Sequence, residues 1–158
     1  MYHLLIAVLA LFSLAQCATS GSGTEPVNAD STSRYQLIIF SAPWCENCEP
    51  FIHGLDSKLS GQSSASLNRL SPEVRVVTGK KKFEKPTLQV AEEYVSALGV
   101  PYLAFADFWK TGNYSQYYGN ESLNIPAVVI VSSTGEKRVF SAGTSADEVM
   151  GYLETVLK

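Results

Sequence analysis

Ile38-Ile39-Phe40-Ser41-Ala42-Pro43-Trp44-Cys45-Glu46-Asn47-Cys48 is the stretch on which the reading of this chain turns. It opens as an apolar, β-branched run suited to a buried strand and breaks at Ala42-Pro43. It then delivers two cysteines spaced C-x-x-C to an expected helix start. Two thiols at that spacing can close a disulfide and reopen it. The loop they close is so short that it restrains little of the unfolded chain, so stabilisation is a poor reason for the pair. Redox chemistry is the better one.

Composition bounds the rest. The chain has 158 residues, 46% hydrophobic and 17% charged, which suits a single domain with a real core. A net charge of -3 argues against nucleic acid as a partner, since phosphate binding needs a basic face. The one basic run, Lys80-Lys81-Lys82, reads as a solvated turn.

The N-terminus carries an apolar run from Leu4 to Ala15, too short to span a bilayer, and residues 1–17 read as a secretory leader. Its n-region has no Lys or Arg. The end of this leader, Leu14-Ala15-Gln16-Cys17, resembles the lipobox of bacterial lipoproteins, which implies lipidation of Cys17; Gln16 departs from the small residue usual there. Three cysteines would leave an odd thiol in an oxidising compartment, and a lipid on Cys17 removes that anomaly. Residues 18–33 are small and polar and read as a flexible tether reaching on the order of 20 Å. The folded domain is expected over residues 34–158.

Within that domain, Tyr35 to Phe40 reads as a central strand covered on both faces. A helix follows from Cys45 to about Leu59, with Phe51, Ile52, Leu55 and Leu59 on one face and Pro50 bending or delaying its early turns. Gly61 to Ser66 reads as the end of that helix. Val74 to Thr78 is expected as a second strand, and Leu88 to Leu98 as a helix with the stripe Leu88, Ala91, Val95 and Leu98, closed by Gly99. Strand and helix in alternation argue for parallel pairing through right-handed crossovers. Tyr102 to Ala106 fits a short strand, and the aromatic segment Phe108 to Tyr118 a loop with a helical turn. Ile125-Pro126 leads into the strand Ala127 to Val131, which pairs through a Gly135 turn with Lys137 to Phe140 as an antiparallel hairpin. Ser145 and Glu148 form a capping box for a last helix burying Ala146, Val149, Met150, Leu153, Val156 and Leu157.

The segment Phe40 to Cys48, followed by Ile125-Pro126 opening a strand, a Gly135 hairpin and a terminal helix, resembles the thioredoxin superfamily over residues 34–158. With export and a tether, the layout is most similar to the membrane-anchored thioredoxins of the bacterial periplasm, including the cytochrome c maturation reductases. The resemblance implies an α/β fold with a central mixed sheet flanked by helices, and a thiol–disulfide oxidoreductase whose partners are protein thiols and disulfides. It implies no cofactor beyond the Cys45–Cys48 disulfide, an electron donor in the membrane or periplasm, and no metal. Cys45 would be the nucleophile, favoured as thiolate by the helix N-terminus, and Cys48 the resolving thiol. Ile125-Pro126 would match the family's cis-proline facing the disulfide, with the Ile125 backbone pairing to an extended substrate and Trp44 forming a wall of the site. Thioredoxins often place a buried acid six residues before the first cysteine; here that residue is Ile39. Glu84, Glu92 and Glu93 read as surface acids. Glu46 between the cysteines disfavours added negative charge, which points to a reductase.

Other readings stay open on the residues alone. A disulfide-forming oxidase would use the same pair in reverse. A Cu(I) chaperone could use the two soft thiolates, whereas zinc would find only Cys45, Cys48 and His53. A peroxidase would need a different pattern around its cysteine. A non-catalytic binding module would grip a partner with Trp109, Tyr114, Tyr117 and Tyr118, residues more often used for packing.

Overall fold

A computed structural model describes residues 34–158. The leader, the tether and Cys17 lie outside the described residues. From Arg34 onward the element order is β1 (Tyr35–Ser41), α1 (Cys48–Leu59), α2 (Ser64–Leu67), β2 (Leu70–Val76), α3 (Leu88–Leu98), β3 (Leu103–Ala106), α4 (Asn113–Tyr118), β4 (Ala127–Ser132), β5 (Lys137–Val139) and α5 (Ala146–Val156). The five strands form one mixed sheet in the order β3-β2-β1-β4-β5. β1 runs parallel to β2, from Tyr35 opposite Leu70 to Ser41 opposite Val76, and antiparallel to β4, from Tyr35 opposite Ser132 to Phe40 opposite Ala127.

The unbroken apolar run of β1 is explained by its place at the centre of the sheet, where both faces are covered. Tyr35, Leu37 and Ile39 point to one core and Ile38 and Phe40 to the other. Burying each such side chain contributes about 1.5–3 kcal/mol. The first core holds the inner faces of α1, α3 and α5 against β1, β2 and β4. The crossovers β1-α1-β2 and β2-α3-β3 step the same way across the sheet, so right-handed connections put α1 and α3 on one face. On the other face, Phe40 packs edge-on to Tyr114 and Tyr118 of α4, with ring centroids 5.5 and 6.0 Å apart.

Local signals set the helix ends. Thr87 Oγ1 accepts from Val90 N at the start of α3, and Ser145 Oγ accepts from Glu148 N at the start of α5, caps of about 1 kcal/mol each. Gly99 closes α3 with φ of 67°, the left-handed conformation a side chain would oppose.

The structure corrects the sequence reading in four places. First, α1 begins at Cys48 and not Cys45, because Ala42 to Asn47 form successive turns closed by Cys45 N to Ala42 O and Cys48 N to Cys45 O. Pro50 therefore sits third in the helix, where its missing N–H has no partner to lose. Second, β2 runs from Leu70 to Val76, earlier than Val74 to Thr78. Pro72 is tolerated in it because β3 pairs only from Glu73 onward, leaving that edge open. Third, Leu88 is 54% exposed, since the first residue of α3 precedes the turn that faces the core. Fourth, the polar stretch after α1 includes the one-turn helix α2, capped by Ser63 Oγ accepting from Ser66 N.

Candidate active site

The C-terminal end of β1 carries the chain out of the sheet through Ala42, Pro43 and Trp44 to a disulfide between Cys45 and Cys48, Cα atoms 5.3 Å apart. Cys48, first residue of α1, is completely buried, whereas Cys45 is half-buried and faces a groove. Linked to Cys48, the sulfur of Cys45 is held at the positive end of α1, where unpaired N–H groups favour a thiolate. Its Sγ lies 3.7 Å from the carbonyl oxygen of Ile125, and the Ile125–Pro126 peptide bond is cis. The structure thus brings Trp44, Cys45, Cys48, Ile125 and Pro126 to one end of the sheet.

Second-core residues place that proline loop. Tyr114 of α4 accepts from Asn124 N at 2.9 Å and donates to Asn124 O at 3.2 Å, clamping the residue before Ile125. Gly112 makes room for this helix: a Cβ there would lie 1.5 Å from Oδ1 of Asp107, the oxygen that accepts from Asn113 N. On the other side of Pro126, its carbonyl accepts from Gly143 N. Trp109 and Tyr114 are buried, and Tyr117 and Tyr118 are partly buried against the same core, so these aromatics pack beneath the site.

The groove has a volume of about 500 Å³ and is lined by Trp44, Cys45, Glu46, Asn47, Lys82, Leu123, Asn124, Ile125, Ala142 and Gly143. Trp44 is fixed at one wall by its Nε1, which donates to Thr78 Oγ1 at 2.7 Å; Thr78 is fully buried. Lys82 lies over the Trp44 ring, Nζ 5.5 Å from its centroid. Sequence reasoning missed Lys82, Leu123, Ala142 and Gly143, which come from three loops far apart in the chain. The tripeptide Lys80-Lys81-Lys82 is exposed as expected, but Lys80 pairs with Glu93 at 3.1 Å and Lys82 reaches the groove.

Ile39 is completely buried in the first core, and Glu84, Glu92 and Glu93 are exposed. Hydrogen bonds from Lys80 and then Gln89 hold the Glu93 carboxyl below its ordinary range. One pleat beyond Ile39, Ser41 Oγ and Tyr94 OH share a hydrogen bond of 2.8 Å, and burial pushes the Tyr94 phenol up. His53 is exposed on α1, 3.8 Å from Glu49, and does not join the cysteines. Among the described residues no group of three or more His, Cys, Asp or Glu could hold a metal ion, and no helix is long and apolar enough to cross a membrane.

Neither a protein-family model nor a curated protein matches the sequence. Solved structures do match the fold. A thiol:disulfide interchange protein of the thioredoxin family from Chlorobium tepidum is similar with a TM-score of 0.58 and 15% identity, covering 79% of this chain and 81% of that one. The chain has the thioredoxin fold. Two further thioredoxin-fold structures are the pneumococcal exposed lipoprotein thioredoxin from Streptococcus pneumoniae and a secreted disulfide oxidoreductase from Mycobacterium tuberculosis. The first has a TM-score of 0.51 and 16% identity, covering 77% of this chain and 84% of that one. The second has a TM-score of 0.50 and 14% identity, covering 77% and 81%. In thioredoxin-fold terms the cysteines follow the central strand and the cis-proline opens its antiparallel neighbour β4.

Proposed function

We propose that the chain is a thiol–disulfide oxidoreductase that reduces disulfides of partner proteins in an exported compartment. The observation that carries this reading is the asymmetry of the pair: Cys45 opens onto a groove beside the Ile125 carbonyl while Cys48 is sealed beneath it. Such a pair divides the work. In the reduced protein, the Cys45 thiolate attacks one sulfur of a partner disulfide, forming a mixed disulfide and releasing the partner's other sulfur as a thiolate that takes up a proton. Cys48, losing its proton, then attacks Cys45 Sγ, reforming the internal disulfide and releasing the second partner thiol. Two electrons pass to the partner, and a dithiol donor must return them.

The groove accepts an extended segment, with the Ile125 backbone and Trp44 as its contacts. Glu46 sits exposed on the same groove, and its carboxylate disfavours a further negative charge beside it. That favours the oxidised protein over its thiolate form and hence the reducing direction. The cytochrome c maturation type of reductase fits this direction. Anchoring by a lipid on Cys17 through the tether of residues 18–33 would hold the domain near a membrane; the pneumococcal thioredoxin of similar fold is an exposed lipoprotein.

The test is reduction of insulin with dithiothreitol as donor. Wild type is expected to accelerate insulin precipitation and Cys45→Ser to leave it at the uncatalysed rate. Equal inactivity of the two proteins with every donor tried would remove the enzymatic reading.

A further inference from the structure

The loop between β2 and α3 is built more elaborately than a solvated turn requires. Gly79 N donates to Glu84 O at 2.7 Å, Glu84 N to Lys81 O at 3.1 Å, and Lys81 N to the Glu84 carboxylate at 3.1 Å. A Cβ on Gly79 would lie 2.7 Å from that carboxylate, so a larger residue there would displace the Glu84 side chain. At the tip, Phe83 adopts φ of 73°, a conformation that a bulky residue adopts only when its surroundings impose it, and the residue is 60% exposed. Held this way, the Phe83 ring packs 6.0 Å from Trp109, and Lys82 Nζ lies 5.5 Å from both the Phe83 and Trp44 rings. Lys110 Nζ extends the patch, 5.2 Å from the Trp109 ring. Among the described residues neither Lys82 nor Lys110 is paired with a carboxylate, whereas Lys80 is held by Glu93. Glu46 is the opposing charge on the groove.

We propose that this loop is a specificity element: Lys82, seated between Trp44 and Phe83, selects partner segments that carry an acidic side chain close to the target cysteine. The proposal rests on the oxidoreductase reading and names its substrate class. The charge layout makes the preference positional. An acid lying over Trp44 meets Lys82, and an acid beside Glu46 meets repulsion. An extended chain advances about 3.3 Å per residue, so an acid one to three residues from the cysteine spans the neighbouring part of the groove. Phe83 offers the same segment an apolar contact, which explains an exposed aromatic ring held in an unfavourable backbone conformation.

The test uses pre-reduced protein and peptides with one cysteine in mixed disulfide with 2-mercaptoethanol, identical except for Asp, Ala or Lys two residues to either side of it. Second-order rates of thiol exchange are expected to favour Asp over Lys by about fivefold on one side of the cysteine at low ionic strength, the upper range for an exposed pair. In about 1 M salt, where screening reaches about 3 Å, the preference should collapse. Lys82→Glu should invert the order and Lys82→Ala abolish it. Equal rates for all peptides, or the same preference in wild type and Lys82→Glu, would overturn the proposal. Reaction of wild type with the neutral bis(2-hydroxyethyl) disulfide separates the two levels. If that reaction proceeds and the peptides show no preference, only the selectivity fails; if wild type exchanges with no disulfide, the redox reading fails and takes the selectivity with it.

Discussion

Cys45 Sγ lies 3.7 Å from the carbonyl oxygen of Ile125, a residue 80 positions further along the chain. This contact joins the end of the central strand to the loop that opens its antiparallel neighbour. It places the accessible sulfur beside a backbone acceptor on the lining of the groove. The division of work between the two cysteines follows from one sulfur being open to that groove and the other being closed off beneath it.

The first expectation concerns trapping. With Cys48 replaced by Ser, the second displacement has no thiol to perform it, so Cys48→Ser mixed with insulin should accumulate a covalent adduct visible on non-reducing gels and released by dithiothreitol. Cys45→Ser should form none. Because Cys48 is completely buried, its thiol in native Cys45→Ser should alkylate at least about tenfold more slowly than Cys45 in Cys48→Ser.

The hydrogen bond of Trp44 Nε1 to Thr78 Oγ1 fixes a wall of the groove. Thr78→Val keeps the shape of a fully buried side chain and removes the acceptor. It should cost about 1–2 kcal/mol in urea unfolding. Loss of exchange rate with peptides exceeding any loss with a small neutral disulfide would show that the bond positions the indole for substrate.

A buried charged group sits away from the disulfide on the second face of the sheet. The Glu73 carboxylate accepts from Gln36 Nε2 at 2.7 Å and from Arg75 Nε, and Arg75 Nη1 is 3.6 Å from Asp107 Oδ2. Arg75→Leu strands two carboxylates that are 3% and 5% exposed and should cost about 3–5 kcal/mol. Replacing Glu73 and Arg75 together by Leu removes one of the two stranded carboxylates and should recover the Glu73 share of that loss, which denaturant titration of the single and double variants can measure.

Alkaline pH gives a further expectation. Tyr118 OH lies 2.7 Å from Val128 O and 2.8 Å from Phe140 O, and burial pushes its phenol well above the ordinary tyrosine range. Tyr94, Tyr102 and Tyr114 are raised for the same leading reason. A folded-state value above the unfolded one means the folded state holds the proton more tightly. The contribution is therefore complete below the unfolded tyrosine value of about 10 and is lost as pH rises through the folded value. The urea midpoint should fall above about pH 10. Tyr118→Phe should lose about 1 kcal/mol at pH 8, because Phe140 O loses its hydroxyl partner, and should decline less steeply beyond pH 10 than wild type.

The parts of this structure written in local chemistry were legible in the sequence. The apolar run of β1, the C-x-x-C turn, the Gly99 stop and the Ser145 cap each depend on neighbours a few residues away. Ile125-Pro126 was legible only through the resemblance, because nothing along the 80-position separation points from it to Cys45. What escaped is what tertiary packing decides. The start of α1 moved to Cys48 because consecutive turns absorbed Ala42 to Asn47. Leu88 matched the helical stripe by spacing yet lies in the first turn, outside the core. Pro72 reads as a strand breaker until the open edge beside it is known. Lys82 and Phe83 look like any basic turn in one dimension. Their role is visible only once Trp44 and Trp109, from two other segments, are seen against them.

The central claim is that Cys45 and Cys48 form a reversible, reducing dithiol. Equilibration of the protein in dithiothreitol or glutathione buffers of graded potential, followed by alkylation and mass analysis of the peptides carrying the pair, tests it most directly. The account predicts a single two-electron transition nearer about −270 mV than about −120 mV. A midpoint close to about −120 mV would contradict the reducing direction, and a pair that does not interconvert across the range would contradict the claim itself.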